Sequence, residues 1–261
     1  MDLNLEGKRA VVCGSTQGIG KASAIELALL GASVTLIARN EEKLKAVIRE
    51  LSTKGDQEHN YLVADFNFPD GLKKTAEDFA TSEGVHILVN NTGGPPAGLA
   101  IDAPLEEYVK AFESHLLCNH ILAQTFVPGM KKEKFGRIIN IISTSVKTPI
   151  KGLGVSNTIR GAVANWSKTL SIELAPYGIT VNNVLPGATM TQRLESVLQE
   201  KAEKSGKTFE ELKKEMMAEI PAGRISEPRE VAAAVAFLAA PAAGYINGIN
   251  VPVDGGRTKS L

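Results

Sequence analysis

Short apolar runs rich in β-branched residues alternate with helix-length stretches along nearly all of this 261-residue chain, and that rhythm restricts its folds more than any other feature. Strands are expected at Arg9–Cys13, Ser33–Ala38, Tyr61–Ala64, His86–Asn90, Arg137–Ser143, Thr180–Val184 and Ile249–Val253. Helical patterns fall between them at Ile19–Leu30, Glu41–Leu51, Leu72–Ser82, Leu105–Lys132 (with a bend expected at Pro128), around Asn157–Leu174, and at Val231–Ala239. Successive strands joined through helices run parallel, and apolar runs that are continuous rather than alternating imply cover on both faces. The reading is one α/β domain over residues 1–261, a doubly wound parallel sheet in three αβα layers. No internal repeat or low-complexity linker divides it.

Charge then removes whole classes of partner. The 29 Lys and Arg are matched by 29 Asp and Glu, whereas nucleic acids and anionic membrane surfaces demand a basic protein. Cys13 and Cys118 are too few for a disulfide framework, which points to a reducing, cytoplasmic setting. The start, Met-Asp-Leu-Asn-Leu-Glu, lacks the basic and apolar regions of a signal peptide. Residues 231–253 carry no charge, but Pro241, Gly244, Asn247, Gly248, Asn250 and Pro252 break them, so no membrane span is expected. A small-molecule ligand is left as the expected partner.

Two local deviations matter. Residues 195–215 hold six Glu and five Lys around Ser205-Gly206, and read either as two exposed amphipathic helices joined by a turn or as a substrate lid within 190–222. Residues 141–191 hold Lys147, Lys151, Arg160 and Lys168 against Glu173 alone, a locally positive stretch suited to an anionic ligand.

The first strand runs into Gly14-Ser15-Thr16-Gln17-Gly18-Ile19-Gly20, which opens a helix. Glycines there permit a tight turn and a close main-chain approach to a pyrophosphate, whose charge meets the unpaired N–H groups of the helix start. A glycine trio alone is weak evidence; its place on the first strand of a βαβ unit strengthens it, and the fold becomes Rossmann-type. The second strand ends Leu36-Ile37-Ala38-Arg39-Asn40, without the acid that would hold a ribose 2′-hydroxyl and with a guanidinium suited to a 2′-phosphate. NADP(H) is therefore expected over NAD(H).

The chain resembles the short-chain dehydrogenase/reductase family, and within it the 3-oxoacyl-carrier-protein reductase-like branch. The resemblance runs over nearly the whole chain and rests on Cys13–Gly20, Asn90-Asn91-Thr92-Gly93, Gly178–Asn182, Pro186-Gly187 and Val253–Gly256, in the family's order and spacing. It implies a seven-stranded parallel sheet and a homo-oligomer, tetramer or dimer. It also implies that Asp65 and Phe66 contact adenine, that Asn91, Thr92 and Gly93 pass the ribose, and that Pro186, Gly187 and Thr191 hold the nicotinamide carboxamide. The bland reading of Asn90 and Asp65 is strand-end capping or turn formation.

The catalytic group departs from the family's Asn, Ser, Tyr and Lys. In an ungapped register Ser143 falls at the serine, but Ser156 stands for tyrosine, Arg160 for lysine and His115 for asparagine. A serine hydroxyl is a far weaker acid than a phenol, and a guanidinium cannot relay a proton as an ammonium can. The spacing of four puts Ser156 and Arg160 on one helical face. Ser143 can polarise a carbonyl oxygen, and His115 is the candidate acid because an unperturbed imidazole titrates near neutrality. No metal is expected, since His59, His86, His115 and His120 are scattered.

Three functions compete. The first is an NADP(H)-dependent oxidoreductase moving hydride between nicotinamide and a carbonyl/alcohol pair, with an atypical proton source. The second is a non-redox enzyme: halohydrin dehalogenases, relatives of the family, also carry Arg at the lysine position but have lost the glycine turn. The third is a non-catalytic NADP(H)-binding sensor or scaffold, suggested by the missing Tyr and Lys.

Overall fold

All seven apolar runs form strands, and the strands join one parallel sheet in the order β3-β2-β1-β4-β5-β6-β7. The computed structural model describes residues 1–260. Its strands are β1 (Arg9–Cys13), β2 (Ser33–Ala38), β3 (Asn60–Val63), β4 (Ile87–Asn90), β5 (Gly136–Ile141), β6 (Ile179–Pro186) and β7 (Asn250–Val253). The helices are α1 (Gly18–Leu29), α2 (Glu41–Ile48), α3 (Pro69–Ser82), α4 (Leu105–Phe112), α5 (Cys118–Glu133), α6 (Gly154–Leu174), α7 (Gln192–Ser205), α8 (Phe209–Ala218) and α9 (Pro228–Ala239).

The central strands are buried on both faces because each face carries its own apolar cluster. One gathers Leu27, Leu36, Leu44, Ile139 and Val235 under α1, α2 and α9. The other gathers Val11, Leu88, Leu122, Phe126 and Ile138 under α3, α5 and α6. β1 pairs with β2 on one side and β4 on the other, so the winding reverses between β1 and β4. Open sheets of this kind bind ligands outside that reversal, at the carboxyl ends of the strands.

Polar side chains cross the sheet as well. Asn90, Asn140, Asn183 and Asn250 are in register on four neighbouring strands. Asn90, Asn140 and Asn183 each donate Nδ2 to the next residue's Oδ1, at 2.8, 3.1 and 2.8 Å, and Asn140 Nδ2 also reaches Ser167 Oγ on α6 at 3.2 Å. At its β4 end Asn90 Oδ1 has no partner among the described residues, and removing any other member would leave further amide atoms unpaired.

Two expectations need correction. The 105–132 stretch is not one uniform α-helix: α5 runs on through Pro128, where the bend was expected, and a π-turn at Glu113–Leu117 separates α4 from α5. Proline removes one N–H there without forcing the helix to end, whereas the π-turn inserts a residue at the position occupied by His115. α6 begins at Gly154, before the expected start, so Ser156 lies in its first turn. A Cβ at Gly154 would collide with the Ala100 main chain, so the 98–100 loop packs directly on the start of α6.

Residues 195–215 form the two expected helices. Gly206 turns between them at φ +71°, Thr208 and Glu211 form a capping box, and Leu198 and Leu212 are buried. Among the described residues no helix is long and apolar enough to cross a membrane.

Candidate active site

The glycine turn is held by contacts that leave no room for side chains. Gly14 and Gly18 adopt φ of +58° and +56°, in the left-handed region, and a Cβ on Gly14 would stand 2.7 Å from Asn91 Nδ2. A Cβ on Gly20 would overlap the Gly14 carbonyl, so the first turn of α1 rests on the main chain of the turn before it. Asn91 Nδ2 donates to the Cys13 and Gly14 carbonyls at 3.3 and 3.2 Å, tying the end of β4 to the end of β1. A cavity of about 430 Å³ opens beside this turn, lined by Thr16, Gln17, Gly18 and Lys21 and across from them by Met190 and Thr191. The turn has the bare main chain and helix start that a pyrophosphate requires.

Ser15 and Ile19 belong to the turn through their main chain. The Ser15 hydroxyl is buried and donates to the Ile37 carbonyl at 3.4 Å, while Ile19 packs against the core. Arg39 and Asp65 meet at the ends of β2 and β3, with Nη1 and Oδ2 3.9 Å apart. Arg39 is largely exposed, and a long, wet ion pair of this kind holds little energy, so its guanidinium stays available to an anion. Asp65 Oδ1 also accepts from Asn67 N–H at 2.9 Å, which is the turn-forming role expected of an aspartate there. The neighbouring Phe66 ring packs into the second core cluster, leaving its main chain at the strand end.

On the opposite wall the Pro186-Gly187 segment is clamped by β7. Gly187 N–H donates to the Val253 carbonyl at 3.0 Å, and a Cβ on Gly187 would stand 2.6 Å from Asp254 Cβ. Thr191 caps α7 by accepting from Leu194 N–H at 3.3 Å, and its methyl would lie 3.2 Å from a Cβ on Gly18. The base of α7 is thereby brought against the glycine turn.

The substituted catalytic positions converge at the ends of β4 and β5. Ser143 Oγ accepts from Ser145 N–H at 3.1 Å, which leaves its own O–H to donate to a ligand. Ser156, half-buried, stands one helical turn before Arg160 on α6. Arg160 is 8% exposed, and Nη1 donates to the Ile141 carbonyl at 3.0 Å. Burial draws its pKa down to about 10, so it remains a cation at neutral pH. His115 is buried in the π-turn, where its Nδ1 is hydrogen-bonded to the Thr92 hydroxyl and its ring also meets the Gly93 main chain.

His115 requires the main correction. Burial first, and then the Arg160 charge, push its pKa down to about 3, so it is neutral throughout the working range. An imidazole held neutral is no imidazolium donor; it can position Thr92 and the loop that carries it. The broader positive cleft also contracts. Lys168 is exposed and donates to the Gly248 carbonyl at 3.2 Å, two helical turns beyond Arg160. Tyr177 sits in a surface turn beneath Lys131 and does not replace the missing tyrosine.

Three groups were not visible as site residues in the sequence. Arg193, on α7, donates to the Pro95 carbonyl at 3.1 Å and so ties the 190–222 segment to the 91–96 loop. Asn119, four residues after His115, and Ser145, two after Ser143, bury side-chain oxygens that have no partner among the described residues. No spacing rule marks any of them, because their partners are distant in the chain or absent from it. The remaining histidines serve elsewhere: the Nδ1 atoms of His59 and His86 accept main-chain N–H groups, and that of His120 accepts from Trp166.

Comparison with known proteins agrees with this geometry. A family model described as enoyl-(acyl carrier protein) reductase matches residues 14–258. The 3-oxoacyl-(acyl-carrier-protein) reductase FabG of Haemophilus influenzae is 35% identical over 253 residues, covering 97% of this chain and 98% of that protein. An uncharacterized oxidoreductase of Bacillus subtilis, YvaG, is 34% identical over 266 residues and covers 100% of both. Among solved structures, the L-sorbose reductase of Gluconobacter frateurii, complexed with NADPH and L-sorbose, superposes with a TM-score of 0.93 at 31% identity over 100% of both chains. YwfH, an NADPH-dependent reductase involved in bacilysin biosynthesis, gives 0.91 at 28% identity over 97% of this chain and 99% of that one. With its seven-stranded Rossmann-type sheet and these relatives, the chain belongs to the short-chain dehydrogenase/reductase family of oxidoreductases.

Proposed function

We propose that the protein is an NADP(H)-dependent reductase of carbonyl compounds, acting without the family's tyrosine and lysine. The observation that carries this reading is the close-packed Gly14–Gly20 turn together with an acid-free β2 end that presents Arg39 to solvent. Solved relatives bound to NADPH support the cofactor. When bound, the cofactor supplies the hydride. Thr16, Gly18 and the start of α1 would hold its pyrophosphate, Arg39 its 2′-phosphate, and Asp65 and Phe66 its adenine. Asn91, Thr92 and Gly93 would flank the ribose, and Pro186, Gly187 and Thr191 the carboxamide.

Ser143 donates its free O–H to the substrate carbonyl and stabilises charge on that oxygen during reduction. Ser156 lies on the same side of the site. With His115 neutral, the proton completing the alcohol comes from water that reaches these two hydroxyls. α7 and α8 act as a lid over 190–222, latched by Arg193 to Pro95. Exposed Leu99, Ile101, Leu105 and Val109 cluster around the start of α4 and suit the contact surface of a homo-oligomer, dimer or tetramer.

A binding-only sensor is the second reading, favoured by the absence of an acid near neutrality among His115, Arg160 and the two serines. The non-redox reading is disfavoured by the intact glycine turn. Titration with NADPH and NADH, followed by nicotinamide fluorescence, separates them when paired with NADPH oxidation across a carbonyl panel. Binding with turnover is expected. Binding without turnover supports the sensor, and no binding overturns both cofactor readings.

A further inference from the structure

A buried guanidinium without a counter-charge stands in the cleft. Arg160 is more than nine-tenths buried, yet among the described residues no carboxylate lies within 4.0 Å of it. Among the described residues, one hydrogen bond, to the Ile141 carbonyl, is all that its five N–H groups make. Arg137 shows what a structurally settled buried arginine looks like here. Its guanidinium reaches the Gly136, Gly178 and Ala240 carbonyls and stacks on Phe135 at 4.2 Å. Both lose hydration to similar degrees, but only Arg137 is compensated by the fold.

The loop that faces the Arg160 guanidinium is built of glycine. Arg160 Nη2 would be 3.8 Å from a Cβ on Gly94, and a Cβ on Gly93 would meet nothing within 4 Å. The loop thus passes the guanidinium with two residues that have no side chains. Ser143, the hydrogen-bond donor for a carbonyl, lies two residues beyond the strand carbonyl that Arg160 holds. A cofactor ribose could accept one N–H from Arg160 but would bring no negative charge. One cation matches one carboxylate in charge, and its planar fork matches a carboxylate in shape.

We propose that Arg160 receives the carboxylate of the substrate, so that the carbonyl compound reduced here is an oxo acid. This rests on the reductase reading but is testable without turnover. The protein saturated with NADP⁺, which has no hydride to give, is titrated by calorimetry with 2-oxobutyrate and with its uncharged amide, 2-oxobutanamide. The acid is expected to bind about tenfold or more tightly than the amide, as charge-assisted pairing implies. Arg160→Gln should abolish the difference, and Arg160→Lys, which keeps charge but not the fork, should retain part of it. Equal affinities in the wild type, detection of neither probe, or a preference surviving Arg160→Gln overturns the proposal. If Arg160→Gln does not fold, full retention of the preference in Arg160→Lys counts against the bidentate fork. A prior NADP⁺ titration isolates the cofactor reading. Should NADP⁺ not bind, the same two probes on the free protein still decide whether Arg160 selects an anion.

Discussion

The glycine turn and the substrate cleft lie at adjacent strand ends, yet they are built on opposite principles. At the turn, Gly14, Gly20 and Asn91 are packed so closely that geometry dictates the residue, and the side chains there mostly serve the fold. Around the substrate end, Arg160, Asn119 and Ser145 bury polar groups whose charge or hydrogen bonding the described residues only partly satisfy. The first region is over-determined by its own chain, whereas the second has unmet valences suited to a ligand.

The sharpest break of this contrast is Gly20→Ala. Its Cβ would overlap main chain that cannot rotate away, so about 3 kcal/mol of stability should go. Urea unfolding reads the loss, and NADPH affinity should fall with it; an unaffected midpoint would show that the turn can relax.

A comparable but pH-gated effect is expected at His115. The unfolded imidazole binds its proton near pH 6.5 and the folded one only near 3, so the unfolded state takes up the proton first. Stability is therefore full above about pH 6.5 and is lost as the pH falls towards 3, by roughly 2–3 kcal/mol at pH 4.5. His115→Asn should flatten this acid limb of the urea midpoint. The profile of kcat/KM should show no limb near pH 6.5 that disappears in the same variant.

Arg39→Ala should weaken NADPH binding by about tenfold to a hundredfold, the worth of a charge-assisted hydrogen bond, while NADH binding changes little. Equal losses for the two cofactors would mean that Arg39 acts on the fold instead. The smallest change belongs to Arg193→Ala. A single exposed hydrogen bond to the Pro95 carbonyl is worth about 1 kcal/mol, so KM should rise by no more than about fivefold with stability unaltered.

The β1, β2 and β4 cores, the glycine turn and both charged helices were legible because each is a local pattern of apolar period, special φ or capping residues. Ser143, Ser156 and Arg160 were marked by the resemblance to the family, whose register runs ungapped along two elements. The π-turn could not be read, since Glu113–Leu117 carries no Gly, Pro or other breaker that marks it. Nor could the row of four asparagines, which depends on the register of strands up to 160 residues apart.

Order and spacing of residues therefore determined the sheet and its cofactor-type turn, because these follow from short-range sterics and hydrophobic period, while the resemblance to a family marked His115, Ser156 and Arg160 as departures. Only the tertiary structure decided what the exchanged groups are. Burial and a neighbouring guanidinium turn His115 from a titrating acid into a neutral positioning ring, and the lack of a nearby carboxylate leaves Arg160 as an unbalanced charge. Solvation and the distance between charges set both properties, and neither is defined until the chain has closed around them.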